Sequence, residues 1–150
     1  MVSRVNDEVV YLHKEEASTT IARMTSCVGL RNPMYCTGVG KSILAFLPDE
    51  EIRTIWERCN PIQFTPKTIM TYERLKKEID DIRKQGYAID DEEHELGVCC
   101  IAAPILDFNS VPVAAISLSA PTEHFDRDTI RQYSSLVLET AKNISRYYAS

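Results

Sequence analysis

Residues 98–106 and 111–119 read VCCIAAPIL and VPVAAISLS, two apolar runs separated by DFNS. Each is short, rich in strand-forming residues and bounded by turn residues, so the two are read as consecutive strands of an antiparallel sheet. A strand sends alternate side chains to opposite faces. In the second run this puts Ile116 and Leu118 on one face and Ala115, Ser117 and Ser119 on the other. In the first it sets Cys99 and Ile101 against Val98, Cys100 and Ala102, and in YAIDD (87–91) it sets Tyr87 and Ile89 against Ala88 and Asp90. One sheet face is therefore apolar, and the other is small and polar, built from Asp90, Cys100, Ser117 and Ser119. Such a face has two physical uses. Small residues let a helix approach closely, with their hydroxyls satisfied on nearby backbone; alternatively they leave room for a ligand among convergent polar groups. The pattern fits both.

Working outward, strands and helices are mixed along the chain. VSRV (2–5) and EVVYLHKEE (8–16) flank Asn6-Asp7 and predict a hairpin, and TTIARM (19–24) has the composition of a third strand. LRNPMYC (30–36) contains Asn-Pro and reads as a turn. A helix is expected from Ser42 through SILAFL until Pro48, and a second over DEEIRTIWERC (49–59), whose Ile52, Ile55, Trp56 and Cys59 share one face and make Trp56 a core residue. TYERLKKEIDDIRKQ (71–85) stripes Leu75, Ile79 and Ile82 along a third helix capped by Gly86. The last helix, about 128–148, carries Ile130, Tyr133, Val137, Leu138, Ala141 and Ile144 on its apolar face.

Residues 37–42 read TGVGKS just before an apolar run, in the manner of a phosphate loop. A nucleotide loop needs a glycine five residues before the Gly-Lys-Ser, so that backbone amides ring the phosphates. Tyr35 stands there, and no apolar strand leads in. What survives is smaller: the amides of Gly38, Val39 and Gly40 open a helix, where unpaired N–H groups and the helix dipole favour an anion. Lys41 follows them and is expected to point to solvent.

A chain of 150 residues with 44% apolar content fits one domain with a sizeable core. Its net charge of −5, with no basic run longer than Lys76-Lys77, excludes extensive phosphate neutralisation, so this chain alone is a poor binder of nucleic acid. Five cysteines, an odd number that includes adjacent Cys99 and Cys100, suggest a reducing cytoplasm, and no apolar run is long enough to span a membrane. The cysteines and His13, His94 and His124 lack metal-ligand spacing, so neither a metal nor a cofactor is expected. A cysteine-dependent enzyme would need Cys99 or Cys100 as nucleophile with His94 or Asp90 as base, yet both thiols lie in an apolar strand that favours the protonated form. His94 is expected at a partly exposed rim.

The runs PMYCTGVGKSILAFLPDEE (33–51), FTPKTIM (64–70), IRKQGYAIDDEEHELGVCCIAAPILD (82–107) and VAAISLSAP (113–121) resemble, in order and spacing, the effector-binding domain of the IclR family of bacterial transcription regulators. The resemblance covers nearly the whole chain and makes residues 1–150 one such domain. Its most specific parts are GYAIDDEEHELGVCCIAAP and the AAISLSAP that follows. It implies a GAF-like α+β fold, an antiparallel sheet of about six strands flanked by helices, serving as a sensor of small carboxylated or aromatic metabolites and not as an enzyme. It also implies ligand contacts at the backbone of Gly38 and Val39, the side chains of Asp90 and Cys100, and the hydroxyls of Ser117 and Ser119. These coincide with the polar face found by alternation. Dimers or tetramers are expected, as is DNA binding only through the family's N-terminal winged helix-turn-helix, which this sequence lacks, as an excised domain or a stand-alone sensor would. Tyr35 departs from the family, in which that pocket-rim position is commonly His.

In chemical terms, helix-opening amides with Ser117 and Ser119 suit a carboxylate, each charge-assisted bond contributing about 1.5–3 kcal/mol. An ionised Asp90 only accepts hydrogen bonds, so it disfavours a bare carboxylate and favours a ligand that also carries a donor. A hydroxy, keto or sugar acid is the expected effector. The alternative is a dimerisation module without a ligand.

Overall fold

In the computed structural model, which describes residues 1–17 and 25–149, Asn6 adopts φ 56°, the left-handed conformation that tight hairpins require and Asn tolerates. It turns β1 (Val2–Val5) into β2 (Glu8–Tyr11), paired antiparallel from Val5↔Glu8 to Val2↔Tyr11. The strand expected over 19–24 lies outside the described residues. The Asn-Pro segment is not simply a turn: β3 (Arg31–Pro33) pairs with β2 at the sheet edge, where a proline's missing N–H leaves no ladder bond unmade. With β4 (Ala88–Asp91), β5 (Val98–Leu106) and β6 (Pro112–Pro121), the sheet has six antiparallel strands in the order β3-β2-β1-β6-β5-β4.

The two faces divide as alternation requires. Ile101, Ala103, Ile116 and Leu118 pack under α4 (Arg127–Tyr148), which buries Val137 and Ala141 against them. Ala88, Ala102 and Ala115 face the other way, into a core shared with α1 (Gly38–Leu44), α2 (Asp49–Cys59) and α3 (Tyr72–Gln85). Helix α3 begins on the Thr71 cap and ends at Gly86, whose φ of 88° only glycine adopts freely. Trp56 lies at the border of that core, half-buried against Tyr35 and Tyr72.

Helix α1 starts four residues earlier than its apolar run suggests, because Thr37 caps it: Thr37 Oγ1 accepts from Gly40 N–H at 3.2 Å and donates to the Pro33 carbonyl at 2.8 Å. Gly38 and Gly40 are thus inside the helix, and each is there for space. A Cβ on Gly40 would collide with the backbone of Met34, and one on Gly38 would sit 3.3 Å from the Ala102 Cβ.

Lys41 overturns the expectation of a solvent-directed side chain, being fully buried at 0% exposure. Its ammonium donates to Glu93 Oε2 at 2.5 Å, to the Ile89 carbonyl at 2.6 Å and to Glu78 Oε2 at 3.2 Å, which uses all three donors. Burial by itself would lower the Lys41 pKa, but the Glu93 and Glu78 carboxylates outweigh it and keep the ammonium charged. The same loop is pinned from the other side, where Thr65 Oγ1 donates to the Glu92 carbonyl and Thr68 Oγ1 to the Glu93 carbonyl, each at 2.6 Å. The FTPKTIM and DDEEHE stretches are therefore two halves of one support.

Lys41→Met leaves Glu93 buried without its counter-charge and is expected to cost about 3–5 kcal/mol in urea denaturation. Adding Glu93→Gln should recover part of that loss, and additive losses would mean that the pair is not coupled. Gly40→Ala is expected to destabilise clearly more than Gly38→Ala, whose neighbours are side-chain carbons able to give by tenths of an ångström; equal midpoints in the same assay would count against this account of α1.

Candidate functional site

The strand registers put Asp90, Cys100 and Ser119 side by side across β4, β5 and β6, with Ala102 and Ser117 paired in the adjoining row. The first turn of α1 rests on these rows: a Cβ built on Gly38 lies 3.6 Å from the Cys100 Cβ and 3.7 Å from the Asp90 Cβ. The first use of a small polar face, close approach of a helix, is thus realised, and room remains beside it. Ala88, Ala102 and Cys100 admit the helix, and beyond its N-terminus the sheet leaves a cavity of about 40 Å³ lined by Gly38, Val39, Asp90, Cys100, Ser117 and Ser119. All six residues singled out in the sequence meet there.

The helix end that opens on this cavity has amides to spare. Its first backbone bond runs from Lys41 N–H to the Thr37 carbonyl at 2.9 Å, and Gly40 N–H is taken by the Thr37 side chain. Among the described residues nothing accepts from the N–H groups of Gly38 and Val39. They supply the donor pair that an anion needs, without any lysine.

The electrostatics refine the expected chemistry. Burial pushes the Asp90 carboxyl up to about 7, against the backbone N–H of Glu93, which donates to Oδ1 at 2.8 Å, and against the charge of Lys41. Near neutral pH the group is present in both forms: the ionised one only accepts, as expected, and the protonated one also donates a hydrogen bond. Burial, reinforced by Asp90, raises the Cys100 thiol to about 12, and Ser119 Oγ donates to its sulfur at 2.9 Å. Burial also raises Cys99, whose thiol donates to Asp91 Oδ1 at 3.3 Å. Neither thiol is ionised at neutral pH, so neither is an activated nucleophile. His94 is lowered by burial and rests against Phe64, ring centroids 4.8 Å apart, at the cavity wall as expected for a rim residue.

Several lining residues escaped the sequence reading. Tyr11 and Asn32 both line the cavity, Tyr11 forming its wall on the β2 side; alternation along β2 places Tyr11 on the inward face with buried Val9 and was its available signal. Asn32 was hidden by reading its segment as a turn. Thr25 and Glu95 meet at the mouth, where Thr25 Oγ1 donates to Glu95 Oε2 at 2.9 Å. Tyr35 does not line this cavity: its hydroxyl donates to the Ile62 carbonyl at 2.8 Å and accepts from Ile62 N–H at 2.6 Å. Among the described residues no group of His, Cys, Asp or Glu is arranged to hold a metal ion, and no helix is long and apolar enough to cross a membrane.

Residues 1–146 match the family model described as the C-terminal domain of the bacterial transcriptional regulator IclR. The HTH-type transcriptional regulator KdgR of Escherichia coli K12 is 37% identical over 139 residues, 93% of this chain and 52% of its own length, so the chain spans about half of that relative. The crystal structure of the Thermotoga maritima IclR superposes with a TM-score of 0.91 at 38% identity, covering 99% of this chain and 60% of that one. The inducer-binding domain of a PobR double mutant from Acinetobacter, in complex with 3-hydroxybenzoic acid, superposes at 0.85 with 27% identity, covering 96% and 85%. The family is one of transcriptional regulators rather than enzymes, and this chain, in fold and in sequence, belongs to it: the protein is a member of the IclR family, matching its C-terminal regulatory domain.

Proposed function

We propose that the cavity beneath α1 is the sensor site of an IclR-type regulator and takes a small hydroxy, keto or sugar acid, whose binding modulates DNA binding by the intact protein. The observation that carries this reading is the pair of amides at Gly38 and Val39 without partners, opening on the same cavity as Ser117, Ser119 and Asp90. The carboxylate accepts from the amides and serine hydroxyls, while Cys100 and Asp90 bound the ligand on the sheet side. Support comes from the PobR domain, whose bound molecule is itself a carboxylate with a hydroxyl. A cavity of about 40 Å³ holds little more than a water or two, so ligand entry requires the lining to widen. DNA recognition belongs to another part of the regulator, since this chain carries a charge of −5; we further propose a cytoplasmic protein that self-associates to dimers or tetramers.

A thermal-shift panel of glycolate, lactate, glycerate, pyruvate and gluconate tests the site: an acid present at a hundred times its dissociation constant should add about 2.7 kcal/mol of stability. A melting temperature unmoved by every acid would remove the sensor reading. In calorimetric titration Ser117→Ala should weaken the active acid by about 1.5–3 kcal/mol; unchanged affinity would return Ser117 to ordinary packing. The chain alone should show no sequence-specific DNA binding at physiological salt, and sedimentation at micromolar concentration should show it associated. Nanomolar operator binding by the chain alone, or a pure monomer, would contradict those two assignments.

A further inference from the structure

Among the described residues the cavity lining holds acids but neither lysine nor arginine: Asp90 lies on its sheet side and Glu95 in the loop after β4, with His94 between them in sequence. Asp90 also adjoins the amide pair, as a Cβ on Gly38 would come within 3.7 Å of the Asp90 Cβ. A carboxylate seated on those amides therefore meets the Asp90 carboxyl at close range. Among the described residues no lysine or arginine of the lining stands ready to separate the two charges, and the nearby Lys14 ammonium is engaged by the Ser26 carbonyl at 2.7 Å and by Glu16 at 2.9 Å. Lys41, the cation facing Asp90 from α1, has its three donors committed to Glu93, Glu78 and the Ile89 carbonyl. The other titratable groups around Asp90 are Glu93 in its own loop, Cys36 ahead of α1, Cys100 on β5 and Tyr11 on β2, none of which carries positive charge near neutral pH. Two carboxylates held a few ångströms apart, one of them the buried Asp90, do not both stay ionised.

Building on the sensor reading above, we infer that this cavity selects ligands bearing a single carboxylate, and that their binding is coupled to uptake of one proton by Asp90, which then donates that hydrogen to the ligand. The proton comes from solvent, and no other bond forms or breaks. Burial has already brought Asp90 to about 7, and the charge of the ligand raises it further. His94 does not compete for the role of cation, because burial lowers its pKa. A second carboxylate, or a phosphate, brings a charge that nothing among the described lining residues meets. Glu95 at the mouth repels it further.

Calorimetric titration of glycerate in two buffers of different ionisation enthalpy counts the protons. Near pH 8, where a group of pKa about 7 is roughly nine-tenths ionised when free, about 0.9 proton should be taken up per glycerate, and affinity should fall close to tenfold per unit as pH rises further. Tartronate, in which a second carboxylate replaces the terminal CH2OH of glycerate, should bind at least about tenfold more weakly. Asp90→Asn should abolish the uptake and flatten the pH profile, whereas His94→Gln should leave both in place. Uptake that survives Asp90→Asn but disappears with His94→Gln would overturn the assignment, as would no uptake by the unaltered protein or tartronate binding as tightly as glycerate. Those results leave the sensor site standing, whereas silence from every acid in the thermal-shift panel removes both readings. Should the Asp90 variant not fold, the proton count and the tartronate comparison on the unaltered protein still decide the matter.

Discussion

An ammonium group with no access to water cannot stand alone, and burying Lys41 forces several elements to converge on one point. Lys41 projects from α1, Glu78 comes from α3, Glu93 from the loop after β4, and the Ile89 carbonyl from β4 itself. Because Glu93 is held there, its backbone N–H is placed to donate to Asp90, and the loop that carries His94 and Glu95 is set over the cavity. The polar face of the sheet would be unremarkable packing without that loop. A charge cluster outside the cavity thereby determines its shape, and the residues that line it depend on residues that do not.

Where pattern and packing coincide, the fold was legible in the sequence. The β5 and β6 alternation, the Leu75–Ile79–Ile82 stripe and the Gly86 cap each follow from local rules that tertiary contacts reinforce, and Asn6-Asp7 announces its hairpin. The start of α1 was not legible from its apolar run, because two glycines depress helix propensity where a Thr37 cap and close contact with the sheet override it. Pro33 concealed an edge strand for a similar reason: a short pairing with β2 asks nothing of its missing N–H. The site was legible only in part. Residues on alternating strands could be assigned to a face, whereas Asn32, Thr25 and Glu95 reach the cavity through tertiary placement that no local period encodes. Lys41 was misread because a lysine after a glycine turn is ordinarily solvated, and the carboxylates that justify its burial lie 37 and 52 residues away.

Gly38 shows why close packing and binding are not competing explanations of the same small residues. With a Cβ at 38 the helix would press on Ala102 and Cys100 and stand off from the sheet, carrying its free amides away from Asp90 and Ser119. Close approach is what delivers those amides to the cavity. The alanines under the helix and the serines beyond it are parts of one surface, differing only in whether the helix covers them.

The sequence Gly-Lys-Ser invites the idea that its lysine binds an anion, and the reason it does not is instructive. An ammonium in the cavity would attract any anion as a strongly hydrated point charge, with little regard to geometry or to the number of charges presented. Two amides at a helix end and two hydroxyls on alternate positions of one strand offer fixed directions and little net charge, which on the proposed reading suits a planar carboxylate of the right placement and no more. Turning Lys41 away and neutralising it on Glu93 keeps the helix anchored while withholding that charge from the ligand. On the proposed sensor reading, Asp90 beside the amides makes the lining penalise every negative charge beyond the first, and discrimination then rests on what the cavity leaves uncompensated as much as on what it binds.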